Sequence, residues 1–345
     1  MTKILIHTSK RGLRIEEPLI SAGYSIVGIK EPTIEKNKVV KLVSLMRVII
    51  RETPDLMLVD SAGLMLLSAY VLSRLFHIPL LLRVRADIWS IHAERREYIG
   101  FARRMYEFVL LKSCQILYNK SERLFCVSEY LKEILKEKGI REEKIRVLRF
   151  SIDADRFHPV EKEGKEIVLL SVMNFSYKRK IEGLLEIIPA VDDIMTHHPN
   201  ITYLIAGEGR FLYLLRERLK NTKNRNKVIC LGHQEAVENL FAEADILIHY
   251  SFLDTSPAVI LEAMACGTPV IANKFDGMKE QIQDGITGFL VDDVSSFRNS
   301  LETLIGNKEM RKEMGKKGRS FVLENHNISY IAACFKKEID QISTK

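Results

Sequence analysis

Short apolar runs recur along the chain, and between most of them lies a stretch whose apolar positions repeat at helical spacing. In the first half the runs 3–8, 24–29, 56–60, 79–84, 124–127 and 145–148 read as strands. Helical periodicity falls at 17–22, ended by Gly23, then at 38–51, 64–76, 94–112 and 129–138, the last ended by Gly139. In the second half strands are expected at 167–172, 201–206, 228–231, 245–249, 270–272 and 289–291. Helices are expected at 181–195, 210–220, 237–244 and 279–283, and they fill the chain beyond 291. Between the halves, 149–164 is polar, contains Pro159 and has no apolar period, so it reads as a connection between domains. Strands alternating with helices predict the α/β class: parallel sheets covered by helices, in two tandem units.

The stretch 94–112 carries a particular pattern. Tyr98, Phe101, Ala102, Met105 and Val109 share one helical face, and Arg96 and Arg103 lie opposite. This predicts one long surface helix with its apolar back to the core. A contact with a membrane surface or a lipid phosphate is the competing reading.

A chain of 345 residues exceeds one ordinary core, which agrees with two domains. Apolar residues at 46% and charged residues at 28% are the mix of a soluble globular protein. Residues 1–7 hold too short an apolar run for a secretion signal, and 64–72, the most apolar segment, is far shorter than a membrane span. Cysteines 114, 126, 230, 266 and 334 form no Cys-x-x-Cys pair, so reduced thiols in a cytoplasmic protein are expected and a zinc site is not. The net charge of +7 is uneven: residues 1–160 hold 28 Lys and Arg against 19 Asp and Glu, and residues 161–345 hold 24 against 26. A basic first half suits an anionic acceptor, a nucleic acid or an acidic membrane surface; a solvated basic surface is the plain alternative.

Candidate chemistry concentrates at 254–270, Asp-Thr-Ser-Pro-Ala-Val-Ile-Leu-Glu-Ala-Met-Ala-Cys-Gly-Thr-Pro-Val. Ser256 can cap a helix whose first position is Pro257, and Gly267 with Pro269 can end it. The free N–H groups and the dipole make such an opening an anion site, with Asp254 before it and Glu262 one turn inside. An ordinary capped core helix with two surface carboxylates fits the same residues.

Several segments, in order, resemble the retaining glycosyltransferases of family 4. They are Val-Ser-Glu-Tyr-Leu-Lys-Glu at 127–133, Lys-Ile-Arg-Val-Leu at 144–148 and Ile-Asp-Ala-Asp-Arg-Phe-His-Pro at 152–159. Ile-Ala-Gly-Glu-Gly-Arg at 205–210, Leu-Gly-His at 231–233 and Ala-Asp-Ile-Leu-Ile-His-Tyr-Ser at 244–251 continue the series. Leu-Glu-Ala-Met-Ala-Cys-Gly-Thr-Pro-Val-Ile-Ala at 261–272 and Asp-Gly-Ile-Thr-Gly-Phe-Leu at 284–290 complete it. The resemblance implies the GT-B fold, two Rossmann-like domains with a cleft between them for donor and acceptor. The N-terminal domain, 1–155, would take the acceptor, with a last helix at about 326–345 crossing back to it; the domain 156–325 would take a nucleotide-diphosphate sugar. No metal or other cofactor is implied.

Carried over by residue, the resemblance implies that Glu262 holds the ribose and that Asp254, one methylene shorter than the usual Glu, faces the sugar. Thr255, Ser256, Pro257 and Ala258 match the segment whose backbone takes the diphosphate, and Gly207 and Gly209 lie in a loop near the nucleotide. Asn174 stands where an Arg is usual. Lys178, Arg179 and Lys180 compete for one phosphate-binding position, Arg179 aligning best by register; three cations before a helix also fit a solvated turn. In the first domain Gly12 marks an acceptor-side loop, Arg85 flanks the site, and Asp87 is the candidate for contact with the transferred sugar or acceptor hydroxyl. His92 is off register and reads as a surface residue.

The expected activity is retaining transfer of a hexosyl-type sugar to a glycan, glycolipid or lipid-linked acceptor. The expected setting is the cytoplasm, peripheral at the inner face of the cell membrane. An epimerase or another GT-B enzyme is the alternative, with a non-catalytic binding protein behind it. The Gly-Glu-Gly-Arg-Phe-Leu run at 207–212 lacks the third glycine of a dinucleotide fingerprint. No aromatic-basic interleaving points to nucleic acid.

Overall fold

The computed structural model describes residues 1–8, 13–28, 38–60, 62–162, 164 and 166–343. The chain divides into two compact units: residues 1–151 with 328–345, and residues 152–327.

The first unit runs β1 (Lys3–Thr8), α1 (Leu13–Ser21), β2 (Ser25–Gly28), α2 (Lys38–Glu52), β3 (Leu56–Asp60), α3 (Leu64–Leu75) and β4 (Leu80–Val84). It continues with α4 (Ile88–Arg95), α5 (Phe101–Lys120), β5 (Arg123–Cys126), α6 (Glu129–Glu137) and β6 (Ile145–Val147). The strands form one parallel sheet in the order β2-β1-β3-β4-β5-β6. Right-handed crossovers place α1 on one face and α2, α3, α5 and α6 on the other.

The expected long helix at 94–112 is two helices. Asp87 caps α4, which ends at Arg95, and a new helix starts after Gly100. The apolar face read as core-facing is also turned outward. Phe101 is 78% exposed, and Met105 and Val109 are exposed too. The inward stripe of α5 is instead Glu107, Cys114, Leu117 and Tyr118. Glu107 can be buried because three cationic or polar partners meet it: His92 Nδ1 at 2.8 Å, Arg95 at 2.7 Å and Arg103 at 3.1 Å. Burial alone would push its carboxyl up; the bonds from His92 and Arg103 and the charge of Arg95 outweigh it and hold it below its ordinary value. His92 is therefore a partner of this ion cluster.

The second unit runs β7 (Ile167–Val172), α7 (Lys178–His197), β8 (Ile201–Ala206), α8 (Leu212–Leu219), β9 (Val228–Gly232), α9 (Val237–Glu243) and β10 (Ile246–His249). It continues with α10 (Ala258–Ala265), β11 (Val270–Asn273), α11 (Asp276–Lys279), β12 (Gly288–Val291), α12 (Val294–Gly306) and α13 (Lys308–Asn325). Its parallel sheet has the order β12-β11-β10-β7-β8-β9. The chain moves one way from β7 and returns to the other side of it at β10. The carboxyl ends of β7 and β10 therefore flank a topological switch point, where open α/β sheets bind ligands.

The last helix, α14 (Ile328–Ser343), belongs to the first unit. Ile331, Phe335 and Ile339 recur every four residues and are buried with Ile4, Ile15, Leu19 and Phe125. Each such side chain contributes about 1.5–3 kcal/mol on burial, enough together to fix the helix there. Tyr24 Oη donates to Asp340 at 2.8 Å, adding a polar tie between β2's approach and α14.

Candidate donor site at the switch point of the second unit

Two loops build the site. The loop after β7 leads into α7, and the loop after β10 leads into α10. Lys180, in the first turn of α7, reaches across to Asp254: Nζ lies 2.5 Å from Oδ1. His249, the last residue of β10 and 3% exposed, places Nε2 3.3 Å from the other oxygen. An ionised carboxylate only accepts, so Nε2 donates. Burial would push the Asp254 carboxyl up; the Lys180 ammonium and the His249 hydrogen bond prevail and hold it well below the usual carboxylate range. Asp254 is thus a fixed negative charge in a largely dry setting.

The three cations of the sequence separate. Lys178, Arg179 and Lys180 do not precede α7 but open it, and no acid accompanies them in the first turn. Cations there oppose the helix dipole, an arrangement that an anion would relieve. Lys178 pairs along the helix with Glu182 at 3.3 Å. Arg179 is exposed, and its backbone carbonyl accepts from Phe252 N–H at 3.3 Å. Lys180 is the one brought to Asp254. Asn174 accepts from the Ser176 N–H at 2.8 Å and so shapes the loop that presents them.

The opening of α10 differs from the expectation. The helix begins at Ala258, Pro257 occupies the cap position, and no side chain caps it. Ser256 instead accepts from Gln281 Nε2 at 3.2 Å. The first N–H groups of α10 therefore point out uncapped by Ser256. The far end follows the sequence: Gly267, at φ +72°, closes the helix by donating to Met264 at 2.9 Å. Glu262 sits inside this helix at 2% exposure. Its charge also reaches Cys266, whose thiol is pushed up to about 12 by burial first and by Glu262 second.

Glycines hold the loops at close range. Gly207 and Gly209 have φ of +141° and +149°. A Cβ on Gly207 would lie 1.8 Å from Met173 O, and one on Gly209 would lie 2.3 Å from Phe175 C. Only glycine lets the loop after β8 press against the loop after β7. Their demonstrated role is thus to position the loop bearing Asn174.

Sequence reasoning missed four supports. Asn273 grips Ser251 twice, accepting from its N–H and donating to its carbonyl, both at 2.9 Å. Gly277 allows the Thr255 carbonyl to approach within 2.1 Å of where its Cβ would stand. His249 and Gln281 are the other two. They come from β10, β11 and the α11 region, and nothing local marks them. His249 carried the one available signal, a polar residue ending an apolar strand five positions before Asp254.

In the first unit the predicted residues do not gather in this way. Asp87 is 7% exposed and accepts from Trp89 N–H at 2.9 Å, Ser90 N–H at 3.1 Å and the Ser90 hydroxyl. Both its oxygens serve the cap of α4. Arg85 donates through Nε to Asp60 at 2.8 Å. Gly12 lies outside the described residues.

Two family models cover most of the chain. Residues 4–156 match Glycosyltransferase Family 4, and residues 153–321 match Glycosyl transferases group 1. The chain belongs to glycosyltransferase family 4. Among curated relatives of this family 4 member, the N-acetyl-alpha-D-glucosaminyl L-malate synthase of Bacillus anthracis is 30% identical over 173 residues, 50% of this chain and 44% of that protein. The alpha-monoglucosyldiacylglycerol synthase of Streptococcus pneumoniae is 24% identical, over 64% of this chain and 55% of its own. The chain thus spans about half the length of these curated relatives. HepE of Anabaena, in its crystal structure with UDP-glucose, aligns at TM-score 0.79 and 16% identity over 99% of this chain and 100% of that one. Sucrose-phosphate synthase of Thermosynechococcus elongatus aligns at 0.76 and 16%, over 99% of each chain. The fold of the family 4 member is GT-B.

Proposed function

We propose that this family 4 member transfers a hexosyl-type sugar, with retention, from a nucleotide-diphosphate donor to an acceptor hydroxyl. The observation that carries the reading is the Lys180–Asp254 pair, set at the switch point between two helix openings without side-chain caps. The diphosphate would lie against the first turns of α7 and α10, met by the N–H groups of Ala258 and Val259, by Arg179 or Lys178, and by Lys180. Glu262 would hold the ribose hydroxyls and Asp254 a hydroxyl of the transferred sugar.

In the reaction the bond from the anomeric carbon to the diphosphate oxygen breaks with oxocarbenium character. The acceptor oxygen bonds the same carbon from the same face, and its proton passes to the leaving phosphate oxygen. Cations and helix N–H groups take up the charge that develops on the diphosphate, without a metal ion. The ionised Asp254 favours the positive charge growing on the sugar. The acceptor would be a glycan, a glycolipid or a lipid-linked molecule at the inner face of the cell membrane; a relative named for a diacylglycerol glycolipid supports this class.

A thermal-shift screen against nucleotide-diphosphate sugars tests the donor half. A donor at about a hundred times its Kd should stabilise the protein by about 2.7 kcal/mol. No shift with any of them would remove the reading. Incubation with the donor alone separates the epimerase alternative, which would convert it without an acceptor.

A further inference from the structure

Large apolar side chains that face solvent are concentrated on one face of the first unit. On α2 these are Leu42, Met46 and Ile50; on α3, Leu67, Val71 and Leu75. On α5 they are Phe101, Met105, Phe108 and Val109. The spacing on each helix is three to four residues, so each presents a continuous outward stripe. The helices are neighbours: α3 packs against both α2 and α5, on the same side of the sheet. In the second unit exposed large apolar residues such as Val160, Tyr213 and Ile229 are scattered singly along the chain, as on an ordinary surface.

The polar residues among the stripes have one sign. Arg47, Arg51, Arg103, Arg104, Lys112 and Lys120 are all exposed on these helices. The acids on the same helices are Glu52 and Glu107. Glu52 pairs with Lys3 and Arg51, and Glu107 is buried in its own ion cluster. Among the described residues, then, these three helices carry no exposed acid. A second copy meeting it symmetrically would set cations against cations. An anionic bilayer surface complements both features, since lipid headgroups pair with the cations while the apolar stripes enter the acyl boundary.

We propose that the outward face of α2, α3 and α5 docks this protein on an anionic lipid bilayer. This goes beyond the transfer reading and rests on it only for what the membrane would supply. Vesicle binding is read without donor, so either reading can fail alone.

The test is co-sedimentation of the full chain with vesicles of phosphatidylglycerol and phosphatidylcholine, against phosphatidylcholine alone, at low and high salt. Binding should be at least about tenfold tighter on the anionic vesicles and should weaken with salt. The double variant Phe101→Ser/Val109→Ser, and separately Arg104→Gln/Lys112→Gln, should each weaken it about tenfold or more while circular dichroism stays unchanged. Absence of binding to anionic vesicles at low salt would overturn the proposal. So would binding that neither variant alters, or self-association of the free protein that Phe101→Ser/Val109→Ser abolishes.

Discussion

Asp87 and Asp254 occupy equivalent places in the two units. Each lies a few residues beyond the carboxyl end of a parallel strand, ahead of a helix, and each is shielded from water. Asp87 turns its oxygens onto the helix that follows and caps α4. Asp254 caps nothing that the structure records; it faces Lys180 from α7 and His249 from β10. A carboxylate that satisfies its own helix stabilises it. One that is held by groups from other elements ties those elements together instead, and the transfer reading gives it a ligand. The difference lies in which elements converge, and a local stretch of sequence does not record that.

The largest effect should come from the second carboxylate. Asp254→Asn should lower turnover by about 10²–10³, the cost of removing one preorganised charge contact. The same variant tests the electrostatics. The folded-state carboxyl lies below its ordinary value of 3.8, so its stabilising contribution is present above that value and fades as pH falls below it. The difference in Tm between the wild type and Asp254→Asn should therefore be greatest near neutrality and shrink in acid. Turnover equal to wild type would place Asp254 with Asp87 as a structural residue.

Gly209→Ala should destabilise the second unit by about 3 kcal/mol, because the new methyl meets the backbone of Phe175 and Ser176. Urea denaturation would measure it; a loss below about 0.5 kcal/mol would mean that the two loops are not pressed together. Asp87→Ala should cost about 1–2 kcal/mol of stability, the loss of a cap, with donor affinity unchanged. Asp87→Ser should recover most of it. Smallest of all, Ser256→Ala should stay within about 0.5 kcal/mol, since Ser256 does not cap α10. A loss of a full cap's worth would restore Ser256 to that role.

Much of this was legible from the chain. The strand–helix alternation placed both sheets, because buried parallel strands are short apolar runs and glycines end the helices between them. Leu56–Asp60 agrees residue for residue, and Gly267 closes α10 as its backbone freedom dictates. Legibility failed where an apolar period had two explanations. Phe101, Met105 and Val109 have the spacing of a core face, yet the buried stripe carries Glu107, acceptable there only through partners on α4. It failed again at the site. His249, Asn273, Gly277 and Gln281 act on the motif loop from other elements, and only tertiary structure shows that Lys180, of three adjacent cations, is the one that reaches Asp254.

The most direct test is isothermal titration of the nucleotide-diphosphate sugar giving the largest thermal shift. It would be applied to the wild type, Lys180→Met and Asp87→Ala. Lys180→Met should bind at least about tenfold more weakly, having lost a charge-assisted contact, while Asp87→Ala should match the wild type within about twofold. Equal affinity in all three proteins, or a larger loss in Asp87→Ala, would contradict a donor site at the ends of β7 and β10.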